Sequence, residues 1–234
     1  MRAVAFPHRA NPQLLATGGY DKKLTIYEIA TTPSSSNSSS PEQPTFSKLQ
    51  NGQSSTPTGH EIGAGSHEGA IKSVLWAREA NVLITACEDK TIRWFDIRTR
   101  NPVTSVKLDG TIGSCELSNT LGTLSVAAGN TAYFFSGTTP GQLIQAVKQP
   151  TDIVSVAIHE GQRRYVTGNN RDTWIRVWDL DASEGQKEID TWKGHHGPIS
   201  SLEFSPDGKI CASGSEDGTV KLWKFCEGPY GLWR

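Results

Sequence analysis

Ala212-Ser213-Gly214-Ser215-Glu216-Asp217, followed by Gly218-Thr219 and the alternating run Val220-Lys221-Leu222-Trp223, decides the fold of this chain. Small residues, an Asp-Gly reversal and a strict apolar and polar alternation describe two strands joined by a tight turn. The same pattern stands at Ala16-Thr17-Gly18-Gly19-Tyr20-Asp21, at Thr85 to Asp89 and at Thr167 to Asp172. In every copy an aromatic residue falls six places after the Asp, at Tyr27, Phe95, Trp178 and Trp223. A degenerate copy runs from Leu124 to Phe134, with Ala128 where the Asp is expected.

The aromatic slots at 27, 95, 134, 178 and 223 are separated by steps of 68, 39, 44 and 45 residues. A period of about 40–45 residues is the length of four short strands with their turns, the span of a WD40 blade. The fold class is all-β, and small sheets that bury little alone must stack face to face around a shared axis. The expectation is a WD40 β-propeller with five recognisable blade units, open or incomplete as given. Each unit supplies three strands, and segments near Glu61-Ile62, Val103 to Val106, Leu143 to Ala146 and Glu188 to Trp192 supply four outer ones. Residues 1–234 then form a single, partial propeller domain. Its end blades each leave an apolar face uncovered, and the expectation is an N-terminally truncated chain. Within the domain, residues 31–59 hold Ser, Thr or Pro at 18 of 29 positions and read as a disordered inserted loop.

Composition excludes more than it assigns. With 23 basic and 24 acidic residues the formal charge is −1, so no strong field gathers nucleic acid or an anionic membrane. Apolar runs such as Ala132 to Phe135 are far shorter than the ~18 residues of a membrane span, and no secretion-type segment opens the sequence. Four dispersed cysteines without a CxxC pair fit reduced thiols, and no His or Cys cluster has metal spacing. The expectation is a cytoplasmic protein with a possible nuclear share, without cofactor, metal or small-molecule substrate.

His195, Ser213 and Asp217 are the residue types of a hydrolase triad. The same trio recurs as His67, Thr85 and Asp89, with the Asp again 22 positions after the His, and one chain rarely needs two such sites. With no nucleophile elbow, a structural brace is the better reading: Asp to His, His to hydroxyl, hydroxyl to the Trp223 indole. Phe95 replaces the Trp in the second unit, and the unit ending at Trp178 has no His near Gln149. Trp174 follows an Asp turn where its sister units carry Lys23, Thr91 and Thr219, which makes it a candidate partner contact; Tyr20, Arg171 and His196 share that rim.

Gly194-His195-His196-Gly197-Pro198-Ile199, Phe204-Ser205-Pro206-Asp207-Gly208 and the tail Tyr230-Gly231-Leu232-Trp233 resemble the final repeat of the serine/threonine kinase receptor-associated (unrip) family. Leu14 to Ile29 and Ile71 to Ile97 are similar to its internal repeats. The resemblance implies a seven-bladed, non-catalytic scaffold for protein-protein interaction. Its implied setting is spliceosomal snRNP assembly and mRNA processing with the survival-of-motor-neuron complex, its partners ribonucleoprotein-assembly factors, with RNA met only indirectly. The WD40 subunit of translation initiation factor 3 is the alternative, and a propeller hydrolase a distant third.

Overall fold

A computed structural model describes residues 2–7, 14–28, 59–78, 81–182 and 187–225. They form 19 strands in five antiparallel sheets, each built in chain order. Sheet 1 contains β1 (Ala3–Ala5), β2 (Leu14–Gly18), β3 (Leu24–Glu28) and β4 (Gly59–Ile62). Sheet 2 contains β5 (Ile71–Trp76), β6 (Val82–Cys87), β7 (Thr91–Asp96) and β8 (Asn101–Lys107). Sheet 3 contains β9 (Ile112–Leu117), β10 (Leu124–Ala128), β11 (Thr131–Phe135) and β12 (Leu143–Lys148). Sheet 4 contains β13 (Ile153–His159), β14 (Arg164–Asn169), β15 (Trp174–Asp179) and β16 (Glu188–Lys193). Sheet 5 has three strands, β17 (Ile199–Phe204), β18 (Ile210–Ser215) and β19 (Val220–Lys224).

Alternation puts successive side chains on opposite faces, and in the middle sheets both faces are apolar because each lies between two others. Ile92, Trp94 and Phe95 of β7 are all buried. Trp94 turns forward into a core with Ile112 and Val126 of sheet 3, while Phe95 turns back onto Leu24 and Ile26 of sheet 1. Phe134, Tyr165 and Trp178 fill the space between sheets 3 and 4. Val166 and Ile175 meet Leu202 and Phe204 between sheets 4 and 5. The first strands of the sheets converge: β9 touches β5, β13 and, across the axis, β17.

The degenerate repeat differs in register from the sequence reading. Phe134, placed above in the aromatic slot, faces forward to sheet 4, and its neighbours Tyr133 and Phe135 face back like Phe95 and Trp178. Only Gly129 and Asn130 separate β10 from β11, against three residues between β6 and β7. Ala128, opposite Ile112, holds the station of Cys87 opposite Ile71 and not that of Asp89, so the aromatic slot falls on Phe135, opposite Leu124 as Phe95 is opposite Leu83. Gly129, at φ 56, makes so short a turn possible.

On the rim away from the Asp turns, hydrogen bonds tie one sheet to the next. The Arg78 guanidinium donates to the Asn119 carbonyl at 2.5 Å, the Ser118 hydroxyl to Glu160 at 2.6 Å, and His159 Nε2 lies 3.3 Å from the Pro206 carbonyl. Most of the Ser-rich segment lies outside the described residues; its last member, Gly59, opens β4 opposite Tyr27.

Candidate functional site

The Asp that marks each repeat first serves its own turn. Its side chain accepts the backbone N–H two residues on: Lys23 at 3.4 Å from Asp21, Thr91 at 3.0 Å from Asp89, Trp174 at 3.2 Å from Asp172 and Thr219 at 2.9 Å from Asp217. That local bond is an Asx turn. The residue between, Lys22, Lys90 or Gly218, is driven to positive φ in three of the four copies.

What the second carboxylate oxygen does differs from sheet to sheet. In sheet 5, His195 Nδ1 lies 3.0 Å from Asp217 Oδ2, and the same oxygen accepts the His196 N–H at 2.8 Å. On its other side His195 Nε2 is 2.7 Å from Ser213 Oγ, which in turn accepts the Trp223 indole N–H at 2.7 Å. A single tautomer satisfies the row: His195 Nδ1–H donates to Asp217, and the Ser213 O–H donates to Nε2. The His196 backbone N–H and the Thr219 hydroxyl hold the Asp217 carboxyl well below the usual carboxylate range. Trp223 is further fixed by stacking on Trp192, with centroids 5.3 Å apart.

In sheet 2 the row is broken. His67 Nε2 lies 2.9 Å from Thr85 Oγ1, and the ring packs at 5.5 Å from Phe95, which has no N–H to offer. Asp89 is paired with Arg93 at 2.8 Å and accepts the Glu68 N–H at 3.1 Å; no hydrogen bond joins it to His67 among the described residues. The continuous Asp89, His67, Thr85 brace of the sequence reading is therefore corrected to two separate pairs. Arg93 wins because its guanidinium, on β7 four residues past the Asp89 turn, reaches the carboxylate with a full charge. Burial pushes Asp89 up, but the Arg93 and Glu68 bonds outweigh it and hold its pKa at about 2. Burial, helped by Arg93, lowers His67 to about 4.

Sheet 4 repeats the arginine solution. Arg176 pairs with Asp172 at 2.5 Å, and the Trp178 indole donates to Thr167 Oγ1 at 2.8 Å. Gln149 occupies the station of the missing His, donates to the Tyr165 hydroxyl at 3.1 Å and leaves its buried Oε1 without a partner. Arg93 and Arg176 are the participants that residue-type reasoning missed; their signal is the Asp-x-x-x-Arg spacing at 89/93 and 172/176.

Chemically, the row in sheet 5 has the bonding of a nucleophile, base and orienting acid but not the access. Ser213 is 1% exposed, and its oxygen already meets His195, Trp223 and, at 3.5 Å, the Lys221 carbonyl. A carbonyl carbon has no path to that oxygen, so the network acts as a strut between the loop before β17 and strands β18 and β19. Ser213→Ala leaves the His195 imidazole and the Trp223 indole without their shared partner. The expected loss is about 1–3 kcal/mol, the cost of stranding buried polar groups, read by urea denaturation.

His67 makes sheet 2 sensitive to acid. Its folded pKa of about 4 lies below the ordinary 6.5, so between these values the unfolded chain binds the proton and the folded chain does not. Stability is fully present above pH 6.5 and drains away as pH falls towards 4. Melting temperature is expected to decline across that window, and His67→Gln to flatten this part of the decline. An unchanged slope in the variant contradicts the account.

The remaining candidates stand on the rim that carries the Asp turns. Trp174 is 37% exposed, with Lys193 Nζ 3.8 Å and the Arg176 guanidinium 5.9 Å from its ring centroid. Arg171 in the adjoining turn and His196 before β17 are exposed as well, and they stand on sheets 4 and 5, which pack against each other. Tyr20 is 68% exposed and stands on sheet 1, under the Arg2 guanidinium at 4.9 Å. The architecture separates it from the other three.

Fold and repeat together define the class: the chain is built of WD40-type blades, and residues 56–96 and 186–224 match the family model described as WD domain, G-beta repeat. Within that class its similarity is to serine-threonine kinase receptor-associated proteins. It is 32% identical to the Gallus gallus protein over its whole length and 29% identical to the Dictyostelium discoideum protein over 92% of its length. The chain spans 58% and 63% of those two relatives. Eukaryotic translation initiation factor 3 subunit I from Culex quinquefasciatus is 30% identical over 88% of this chain and is covered to 62%.

Proposed function

We propose that this chain is a non-catalytic WD40 scaffold for protein-protein interaction, working with ribonucleoprotein-assembly factors in spliceosomal snRNP assembly and mRNA processing. The observation that carries this reading is the similarity to serine-threonine kinase receptor-associated proteins along the entire chain. The absence of chemistry is supported by Ser213, whose hydroxyl is enclosed by its brace. The rim bearing Trp174, Arg171 and His196 is the proposed contact surface, because an exposed aromatic flanked by cations gives a partner both area and orientation. The proposed location is the cytoplasm, with a nuclear share.

The similarity to translation initiation factor 3 subunit I favours a second reading, a place in a translation-initiation assembly. Affinity purification of the tagged chain from its own cells, followed by mass spectrometry, separates the two. Survival-of-motor-neuron and snRNP proteins are the expected co-purifying set, reduced by Trp174→Ala. Recovery of initiation-factor subunits in their place overturns the first reading.

A further inference from the structure

The repeat distinguishes the cations of the Asp-turn rim that are already paired from those that are not. Arg93 and Arg176 stand four places after the repeat Asp and pair with it, at 2.8 Å from Asp89 and 2.5 Å from Asp172. Lys221 holds the same station in sheet 5, four places after Asp217. There both carboxylate oxygens are taken, Oδ2 by His195 and the His196 N–H and Oδ1 by Thr219. Lys221 forms no ion pair among the described residues. The brace that is complete in sheet 5 thus leaves free a cation that sheets 2 and 4 neutralise.

That cation is delivered to sheet 4. Lys221 lies opposite Ser213, and its stem runs beside Gly194, where a Cβ would stand 3.8 Å from Lys221 Cδ and 3.9 Å from Cε. Lys193, one residue earlier, ends β16 opposite Trp174 and holds its Nζ 3.8 Å from the centre of that ring. Neither Lys193 nor Arg171, exposed in the turn that leads into Trp174, has an ion pair among the described residues. The carboxylates of sheet 4 are engaged elsewhere: Asp172 by Arg176, Asp190 by the Trp192 indole, Glu188 by the Thr191 hydroxyl. Sheet 4 has all four strands and a neighbour on either face, so the exposure of Trp174 and Lys193 belongs to the rim itself.

We infer that this rim takes an acidic peptide segment of a partner protein, whose Asp or Glu carboxylate meets Lys193 and Lys221 while a neighbouring apolar side chain covers Trp174. The inference rests on the scaffold reading above and names the chemistry of its partner. Charge complementarity selects the occupant: two ammonium groups without a carboxylate of their own flank an exposed aromatic ring. Stacking already holds the Lys193 ammonium over Trp174, so little side-chain freedom remains to be lost when a carboxylate arrives. A nucleic-acid backbone fits less well. Glu188 and Asp190 stand on the same strand as Lys193, and a formal charge of −1 gives no field that gathers a polyanion.

Carbodiimide coupling, which joins an amine to a carboxylate in contact with it, tests this on the full chain purified with its partners. Peptide mass spectrometry is expected to find Lys193 or Lys221 joined to an Asp or Glu of a co-purifying protein. In the same purification Lys193→Glu/Lys221→Glu is expected to cut recovery of that protein about tenfold or more, and Lys193→Arg/Lys221→Arg to retain it. Lys193→Glu alone, a change at an exposed side chain, carries the test if the double variant melts early. Recovery that falls with Trp174→Ala but with neither charge reversal overturns the acidic ligand and leaves the scaffold reading standing. Charge-dependent recovery of initiation-factor subunits does the reverse. The inference is also overturned if the two lysines couple only to carboxylates of this chain or to none, or if ribonuclease strips the partner from the wild-type chain, which assigns the amines to RNA.

Discussion

Trp76→Ala is expected to lower the free energy of unfolding by about 3–5 kcal/mol, the usual cost of truncating a fully buried large aromatic side chain. Trp76 is 2% exposed and lies with Val74, Leu83 and Phe95 against Ala16, Leu24 and Ile26 of sheet 1. Neighbouring side chains fill such a hole only in part, because sheets are stiff and the flanking residues are already close packed. In a chain of this length each kcal/mol moves the melting temperature by about 2–4 °C, so a fall of about 6–20 °C is expected. Calorimetry of the variant measures it. A shift below 2 °C would mean that sheet 1 does not rest on sheet 2 as described.

Gly113→Ala is expected to cost about 2–3 kcal/mol, the upper part of the range for overpacking a close-packed interior. A Cβ at that position would lie 2.2 Å from the Val154 carbonyl oxygen and 2.8 Å from two further atoms of the same backbone. No side chain can rotate aside to make room, so β9 and β13 must separate and pull Ile153 and Val156 away from the core between sheets 3 and 4. Gly65→Ala is the matched control for added bulk: a Cβ there meets nothing within 4 Å, though φ +74 adds its own local strain. Equal denaturation midpoints for Gly113→Ala and the wild-type chain would contradict so close an approach of the two strands.

The repeat was legible because Asp turns, alternation and a fixed offset to an aromatic residue are local consequences of building similar sheets. Placement of the outer strands was legible for the same reason: β4, β8, β12 and β16 fall on the segments read as such. The aromatic slot of sheet 3 was not, since without an Asp to mark the turn the sequence cannot tell that Ala128 still belongs to β10 and that Phe135, not Phe134, stands where Phe95 does. In the candidate site, residue types and spacing pointed to His195, Ser213, Asp217 and Trp223, whose hydrogen bonds close within one sheet and its preceding loop. The matching set in sheet 2 looked equivalent and is not, because Arg93 competes for Asp89 at a range that spacing alone does not rank.

The sequence by itself determined the fold class, the repeat count and the members of the sheet 5 brace, all of which follow from patterns with periods of two residues or of one repeat. Tertiary structure decided what those patterns meet: which face each aromatic turns to, and whether Asp89 pairs with His67 or Arg93. These choices depend on distances between atoms far apart in the chain, and a nearby guanidinium is enough to reverse one.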